Sequence, residues 1–267
     1  MMPRITKYDR IISQVFRTYD DGAASFTFPR IAIAEAADAQ GLSAPKNVGD
    51  VIYTYRSRRD LPAEIQQRAE AGREWIIRTV GTAQYEFVQV RWGGAQPSQS
   101  LAETLIPDST PALIEKYRQS DEQALLAIIR YNRLIDVFTK LSCFSVQSHL
   151  RTNLEGISQV EIDELYVGID RRGAHYVLPV EVKSRTDRLG AAQVSNLFAL
   201  ADQKFPALIS RPIGAQFVTD DLIALFEFER GVNNLDLSVV AEKHYRLVPA
   251  DDIPDDLIRR YANRPDD

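Results

Sequence analysis

Two opposite charges stand one residue apart in YVLPVEVKSR, residues 176–185: Glu181 and Lys183. The stretch just before it, QVEIDELYVG, carries Glu161, Asp163 and Glu164. Between them lies Asp170-Arg171-Arg172-Gly173, a tight-turn sequence with glycine where a positive φ is needed. A three-residue loop Arg171–Gly173 pairs Asp170 with Ala174 and fixes the register of the hairpin. Asp163 then lies opposite Glu181, and Glu161 opposite Lys183, with Cβ atoms about 4.5–5.5 Å apart. All four share one face, while Ile162, Tyr166, Leu178, Val180 and Val182 make an apolar opposite face.

Two carboxylates placed opposite one another cannot both ionise cheaply without a counter-charge. A divalent cation between Asp163 and Glu181 removes the conflict. An oxygen-only donor set favours Mg²⁺ over zinc, and the carbonyl of Val182 is a further candidate ligand. Lys183 points at the same spot, where it can orient an attacking water or stabilise charge on phosphorus. The plainer reading is a solvated sheet face with Glu161 and Lys183 as a cross-strand ion pair. Pro179 suggests that the second strand is irregular or at an edge there.

The bulk composition narrows the classes. One cysteine, Cys143, excludes an internal disulfide and a multi-cysteine zinc site, and three histidines make a histidine-rich metal site improbable. Cys143 reads as a small buried hydrophobe. There is no glycine-rich phosphate loop, no 18-residue apolar run and no apolar leader in MMPRITKYDR, so a nucleotide-driven motor, a membrane span and a signal peptide are not expected. A reducing, cytoplasmic setting fits. Net charge is −5, which argues against non-specific coating of nucleic acid.

The clearest seam is Trp92–Leu113, rich in Gly, Pro and Ser, read as an interdomain connection. The expected organisation is residues 1–91, a linker at 92–111, and residues 112–267. Before the seam, three helices are expected: one around Ile11–Phe16, one in PRIAIAEAADAQGL ending at Gly41, and one in PKNVGDVIYTYRSR. The strands EWIIRTV and YEFVQVR follow as a hairpin turning near Gly81. That order is winged-helix-like, and the third helix would then read DNA through Arg56, Arg58 and Arg59 near its C-terminus, with Lys46 and Asn47 at its start. A plain helical lobe with solvated arginines is the alternative. Tyr53, Tyr55 and Trp75 read as core.

After the seam come one long helix over 121–141, the hairpin, a helix in AAQVSNLFALADQKF, and strands in IGAQFVT, LIALFEFER and VVAEKHYRLV. This order predicts an α/β (α+β) fold with a mixed sheet flanked by helices. Gln147, His149 and Arg151, in SVQSHLRT, could contact DNA, though a polar loop with one satisfied histidine is the simpler reading.

The stretch QVEIDELYVG…YVLPVEVKSR…AAQ resembles the PD-(D/E)XK nuclease superfamily, the restriction-endonuclease-like fold. In that superfamily an acid on one hairpin strand and a Glu-x-Lys on the next build the metal site. The resemblance implies Asp163 and Glu181 as the acids, Lys183 as the lysine, and Gln193 as the glutamine often found on the following helix. It also implies a glutamate from the preceding helix, for which Glu122 and Asp136 are the candidates. Ile162 stands where the family name has proline, and Glu161 or Glu164 could replace Asp163. The implied function is a Mg²⁺-dependent, sequence-specific endonuclease on double-stranded DNA, of the type II restriction kind. A homodimer and a cognate methyltransferase are the partners that such an enzyme would have. The alternatives are a repair or junction nuclease of the same fold, or an inactive DNA-binding regulator.

Overall fold

The computed structural model describes residues 5–118, 122–185 and 187–263, with the side chains of residues 57, 58 and 158 outside the described set. The first helix, α1 (Lys7–Tyr19), starts at a capping box. Thr6 Oγ1 accepts from Asp9 N at 3.2 Å, and Asp9 Oδ2 accepts from Thr6 N at 2.6 Å. Its apolar face, Ile11, Ile12, Val15 and Phe16, is buried as its spacing predicts. There follow β1 (Ser25–Pro29), α2 (Ala32–Ala39), α3 (Val48–Tyr53) and α4 (Ala63–Gln66), then β2 (Arg73–Gly81) and β3 (Gln84–Trp92). Helix α3 runs directly into a π-helical turn, Thr54–Arg58. Phe16 packs edge-on against Phe26, Trp75 and Phe87 with centroids 5.0–5.2 Å apart, which ties α1 to β1 and the hairpin.

The rest of the chain runs β4 (Glu103–Pro107), α5 (Ala112–Tyr117), α6 (Glu122–Tyr131), α7 (Leu134–Thr139), β5 (Ser142–Leu154), β6 (Ser158–Ile169) and β7 (His175–Lys183). It ends with α8 (Ala191–Lys204), β8 (Ile209–Ser210), β9 (Ile213–Phe217), β10 (Leu222–Arg230), β11 (Asp236–Val248) and α9 (Asp255–Ala262). The strands form one mixed sheet in the order β1-β3-β11-β10-β9-β7-β6-β5, with β2 on β3, β4 on β11 and β8 on β7. Helices flank it on both faces, as the mixed α/β reading expects. Val177 of β7 joins a core built on Val194, Leu197 and Phe198 of α8. Leu178, Val180 and Val182 join a core built on Leu125, Ile129 and Ile135 of α6 and α7. The seam is not structureless. Strand β4 within it pairs in parallel with β11, and β3 meets β11 at Arg91 and Trp92, so a single sheet runs across it.

Four local expectations are corrected. The stretch holding Gln147, His149 and Arg151 is not a loop but β5, an edge strand whose polar, exposed residues carry no alternation to read. The helix over 121–141 breaks at Asn132–Arg133, where Arg133 adopts φ +51°; Asp121 lies outside the described residues. Ile162 is buried in the α8-side core, not beside Tyr166, Val180 and Val182. Pro179 lies inside a central strand. It is tolerated because β7 pairs with β8 at Tyr176–Val177 and with β9 only from Val180 onward, so its missing N–H falls in the gap.

Candidate active site

The hairpin turn forms as its sequence dictates. Gly173 sits at φ +86°, Asp170 N donates to Ala174 O at 3.1 Å, and Asp170 Oδ1 accepts from Arg172 N and Ala174 N at 2.9 Å. The ladder then runs in the expected register from Ile169↔His175 to Glu164↔Val180. Beyond that pair the strands part. Asp163 bridges the opening with its side chain, its Oδ2 accepting from Val182 N–H at 2.8 Å.

Past this point lies an open cleft of about 610 Å³. Strands β6 and β7 contribute Asp163, Glu181 and Lys183, α8 contributes Gln193, and α6 contributes Glu122. The first third of the chain contributes Tyr53, Arg59 and Asp60. Glu181 is the hub. Its Oε1 accepts from Lys183 Nζ at 2.8 Å and from Gln193 Nε2 at 2.6 Å, while Gln193 Oε1 accepts from Gly190 N at 3.2 Å. Lys183 Nζ also lies 3.9 Å from Glu122 Oε1. The four residues predicted from sequence are therefore joined, and Glu122 is the helix acid that reaches them. Asp136 faces elsewhere, accepting from Cys143 N and pairing with Arg133.

Electrostatics follow from burial. Glu181 is 7% exposed, and burial, reinforced by the neighbouring Asp163 charge, pushes its carboxyl up to about 8. Burial also raises Asp163, against the Val182 N–H and Lys183, which favour its charged form. For Lys183, burial opposes the ammonium, but the carboxyl groups around it, Glu181 first and then Glu122 and Asp163, together outweigh it and the pKa rises. A second acid pair adjoins the N-terminus of α8. Burial and then Asp60 push Glu74 up to about 7, although Ala191 N–H donates to it. Asp60, itself open to solvent, is raised by the protein packed around its carboxyl. A Cβ on Gly190 would stand 2.7 Å from Asp60 Oδ1, so glycine is what admits that approach.

The competing acids are sorted by the same geometry. Glu164 has a fully buried side chain and turns away from the cleft, bound by Arg130 at 3.1 Å, by Ser148 at 2.9 Å and by Ser145. Glu161 does line the cleft, but Arg151 at 3.0 Å and Tyr53 Oη at 2.9 Å hold its carboxylate. Neither expected opposition, Asp163 with Glu181 or Glu161 with Lys183, is formed as a ladder pair, because the strands have already separated. A solvated Glu161–Lys183 pair is thereby excluded as the reason for these charges.

For a cation, the fit rests on the donors. Asp163 and Glu181 bring hard carboxylate oxygens to one cleft, where burial raises both pKa values and the Asp163 charge adds to the rise at Glu181. Val182 sends its N–H toward Asp163, and in an extended strand the carbonyl of the same residue points to the same side. Among the described residues no group of three or more His, Cys, Asp or Glu side chains is arranged to hold a metal. Two carboxylates and a carbonyl suit Mg²⁺, which keeps several waters, and do not suit a fully protein-caged ion.

The proposed DNA-reading residues fare unevenly. Arg56 is buried, donates to Thr79 Oγ1 at 3.2 Å and is pushed down to about 10 by burial, so it does not reach a DNA groove. The reason is docking: Asn196 of α8 donates to the Arg56 carbonyl at 3.0 Å, covering the end of α3. Arg59 lines the cleft and pairs with Asp9 at 2.8 Å. The side chain of Arg58 lies outside the described residues. Lys46 is exposed, and Asn47 caps α3 by accepting from Gly49 N at 3.1 Å. Gln147 is exposed on β5, and Arg151 is committed to Glu161. Tyr55 and Trp75 are core, but Tyr53 faces the cleft. Sequence reasoning undervalued Tyr53, Asp60 and His149, none of which carries a motif. Among the described residues no helix is long and apolar enough to cross a membrane. Comparison with protein-family models, curated proteins and solved structures returns no match for this chain.

Proposed function

We propose that this cleft is the active site of a Mg²⁺-dependent endonuclease acting on double-stranded DNA, of the PD-(D/E)XK kind that the sequence resembles. The observation that carries the reading is the convergence of Asp163, Glu181, Lys183 and Gln193 on one cleft, centred on a buried carboxylate with two donors. Asp163, Glu181 and the Val182 carbonyl would hold Mg²⁺, which supplies charge neutralisation at a phosphoryl group and makes a water more acidic when bound. Lys183 stays protonated, orients the attacking water and stabilises the extra negative charge that develops on phosphorus. Gln193 fixes the rotamer of Glu181, and Arg59 and Arg188 bring positive charge to the same cleft.

Residues 1–91 supply part of the cleft wall in this reading. Burial of Arg56 weighs against base reading through that residue, and leaves Lys46 at the start of α3 and Gln147 on β5 among the exposed candidates. Incubation with supercoiled plasmid and Mg²⁺ tests the proposal, with Asp163→Ala and Lys183→Ala as controls. Discrete fragments indicate sequence-specific, restriction-type cutting, and a smear indicates a non-specific nuclease. Intact plasmid with retained binding indicates a DNA-binding regulator. Cleavage by both variants at the parent rate would rule out this site.

A further inference from the structure

His149 is the feature of the cleft that neither the motif nor the mechanism uses. Among the described non-glycine residues with positive φ it is the one inside a strand; the other four lie in turns or at helix ends. Its φ is +49°, in the middle of β5. The β5–β6 ladder pairs Ser148 with Glu164 and Leu150 with Ile162 but skips the position between, where His149 stands opposite Asp163. Both side chains line the same cleft. A position that needed only this backbone would be served by glycine, or by asparagine with less strain. An imidazole is kept there at a conformational cost, and outliers of this kind cluster where a side chain must be aimed.

The ring's hydrogen bonding says what it offers. His149 Nε2 lies 2.7 Å from Gln123 Nε2 of α6. An amide nitrogen donates and cannot accept, so the ring nitrogen accepts and the proton sits on Nδ1. Among the described residues Nδ1–H has no hydrogen-bond partner, which leaves a donor on a ring that lines the cleft, at the strand position opposite Asp163. The surroundings are rich in carboxylates (Asp60, Glu122, Glu161, Asp163 and Glu181), so an anionic strand entering the cleft needs such donors close to the reacting phosphate.

We propose that His149 is a substrate-binding residue whose imidazole donates to a phosphate oxygen of the nucleic-acid strand lying in this cleft. The inference rests on the nuclease reading above and assigns that reading a phosphate contact on β5. Gln123 is then the positioning residue that fixes the ring.

The test uses His149→Gly, which removes the ring while suiting the positive φ, with His149→Asn as a second variant should the first fail to fold. Thermal melting, binding of a labelled mixed-sequence DNA duplex in Ca²⁺, and plasmid cleavage in Mg²⁺ are compared with wild type. The expected result is a melting temperature equal to or above that of wild type, with Kd and KM raised about tenfold and kcat changed much less, as loss of a ground-state contact requires. Gln123→Ala should raise Kd by a smaller factor. Folded His149 variants that bind DNA as tightly as wild type would overturn the inference and leave the nuclease reading standing. A wild-type protein that neither binds nor cuts DNA would overturn both.

Discussion

Gln193 Nε2 donates to Glu181 Oε1 across 2.6 Å, from the first turn of α8 to the end of β7. The contact couples a helix start to a strand end. Gln193 is itself held by the N–H of Gly190, so the Glu181 carboxylate is oriented by the helix as a unit. Groups that orient a ligand typically matter 10–100-fold for metal affinity or activity.

Substituting Gln193 with alanine should therefore raise the Mg²⁺ concentration for half-maximal plasmid cleavage by about tenfold, with melting temperature little changed. A Mg²⁺ titration of cleavage checks this. An unchanged half-maximal concentration would mean that the amide does not position the ligand.

The sign of the pH dependence follows from Glu181. Its folded pKa of about 8 lies above its ordinary 4.5, so the folded protein keeps a proton that the unfolded chain releases. Its contribution to stability is complete below about pH 4.5 and is lost as pH rises through about 8. Urea unfolding at a series of pH values should show wild type falling relative to Glu181→Gln across that window, by a few kcal/mol at most. Mg²⁺ favours the ionised carboxylate, so it should raise the wild-type melting temperature more at the alkaline end of the window than at the acid end. Parallel pH curves for the two proteins would contradict the burial argument.

How much of this was legible in the sequence depends on what each residue's signal was. Asp170 and Gly173 are turn residues with a mechanism, and they fixed the register that set Asp163 near Glu181. Glu181 and Lys183 stood out because charges interrupted a run of valines, whereas Gln193 was reached only through the family resemblance. Strand β5 was invisible because an edge strand exposed along most of its length has no alternation. The break at Arg133 was hidden because only its left-handed backbone, not its side-chain type, ends α6. Burial of Arg56 could not be read locally, since the partner that covers it, Asn196, is 140 residues away. The α8-side position of Ile162 likewise depends on the strands parting after Glu164, which no local pattern encodes.

Asp163 and Glu164 are neighbours on one strand with opposite duties, and substitution should separate them. Glu164 is fully buried and accepts from Arg130 and Ser148, so Glu164→Ala should cost about 1–3 kcal/mol by stripping these donors of their acceptor. Asp163→Asn removes a carboxyl whose pKa burial raises, so stability should hold or improve while Mg²⁺-dependent cleavage is lost. Denaturant melts and plasmid assays on both variants decide the matter. Loss of cleavage in a stably folded Glu164→Gln, with Asp163→Asn active, would reverse the two assignments.

Gly214 links packing to the site. It pairs in parallel with Glu181, and its own side is filled by Leu189 and Phe228. A Cβ there would stand 2.5 Å from Leu189 Cδ1 and 2.7 Å from Phe228 Cζ, closer than carbon atoms tolerate. Leu189 lies between Arg188, which lines the cleft, and Gly190, which admits Asp60 and holds Gln193. Gly214→Ala must therefore displace Leu189 or Phe228. It should cost about 1–3 kcal/mol in stability, read by denaturant unfolding. If Leu189 yields, the start of α8 shifts and cleavage falls further than stability alone explains; if Phe228 yields, the site is spared. Phe228→Leu placed on Gly214→Ala tells the two apart. Recovery of both stability and cleavage would show that the clash lies with the ring, whereas recovery of neither would locate it at Leu189 and tie the packing of this one glycine to the placement of Gln193 on Glu181.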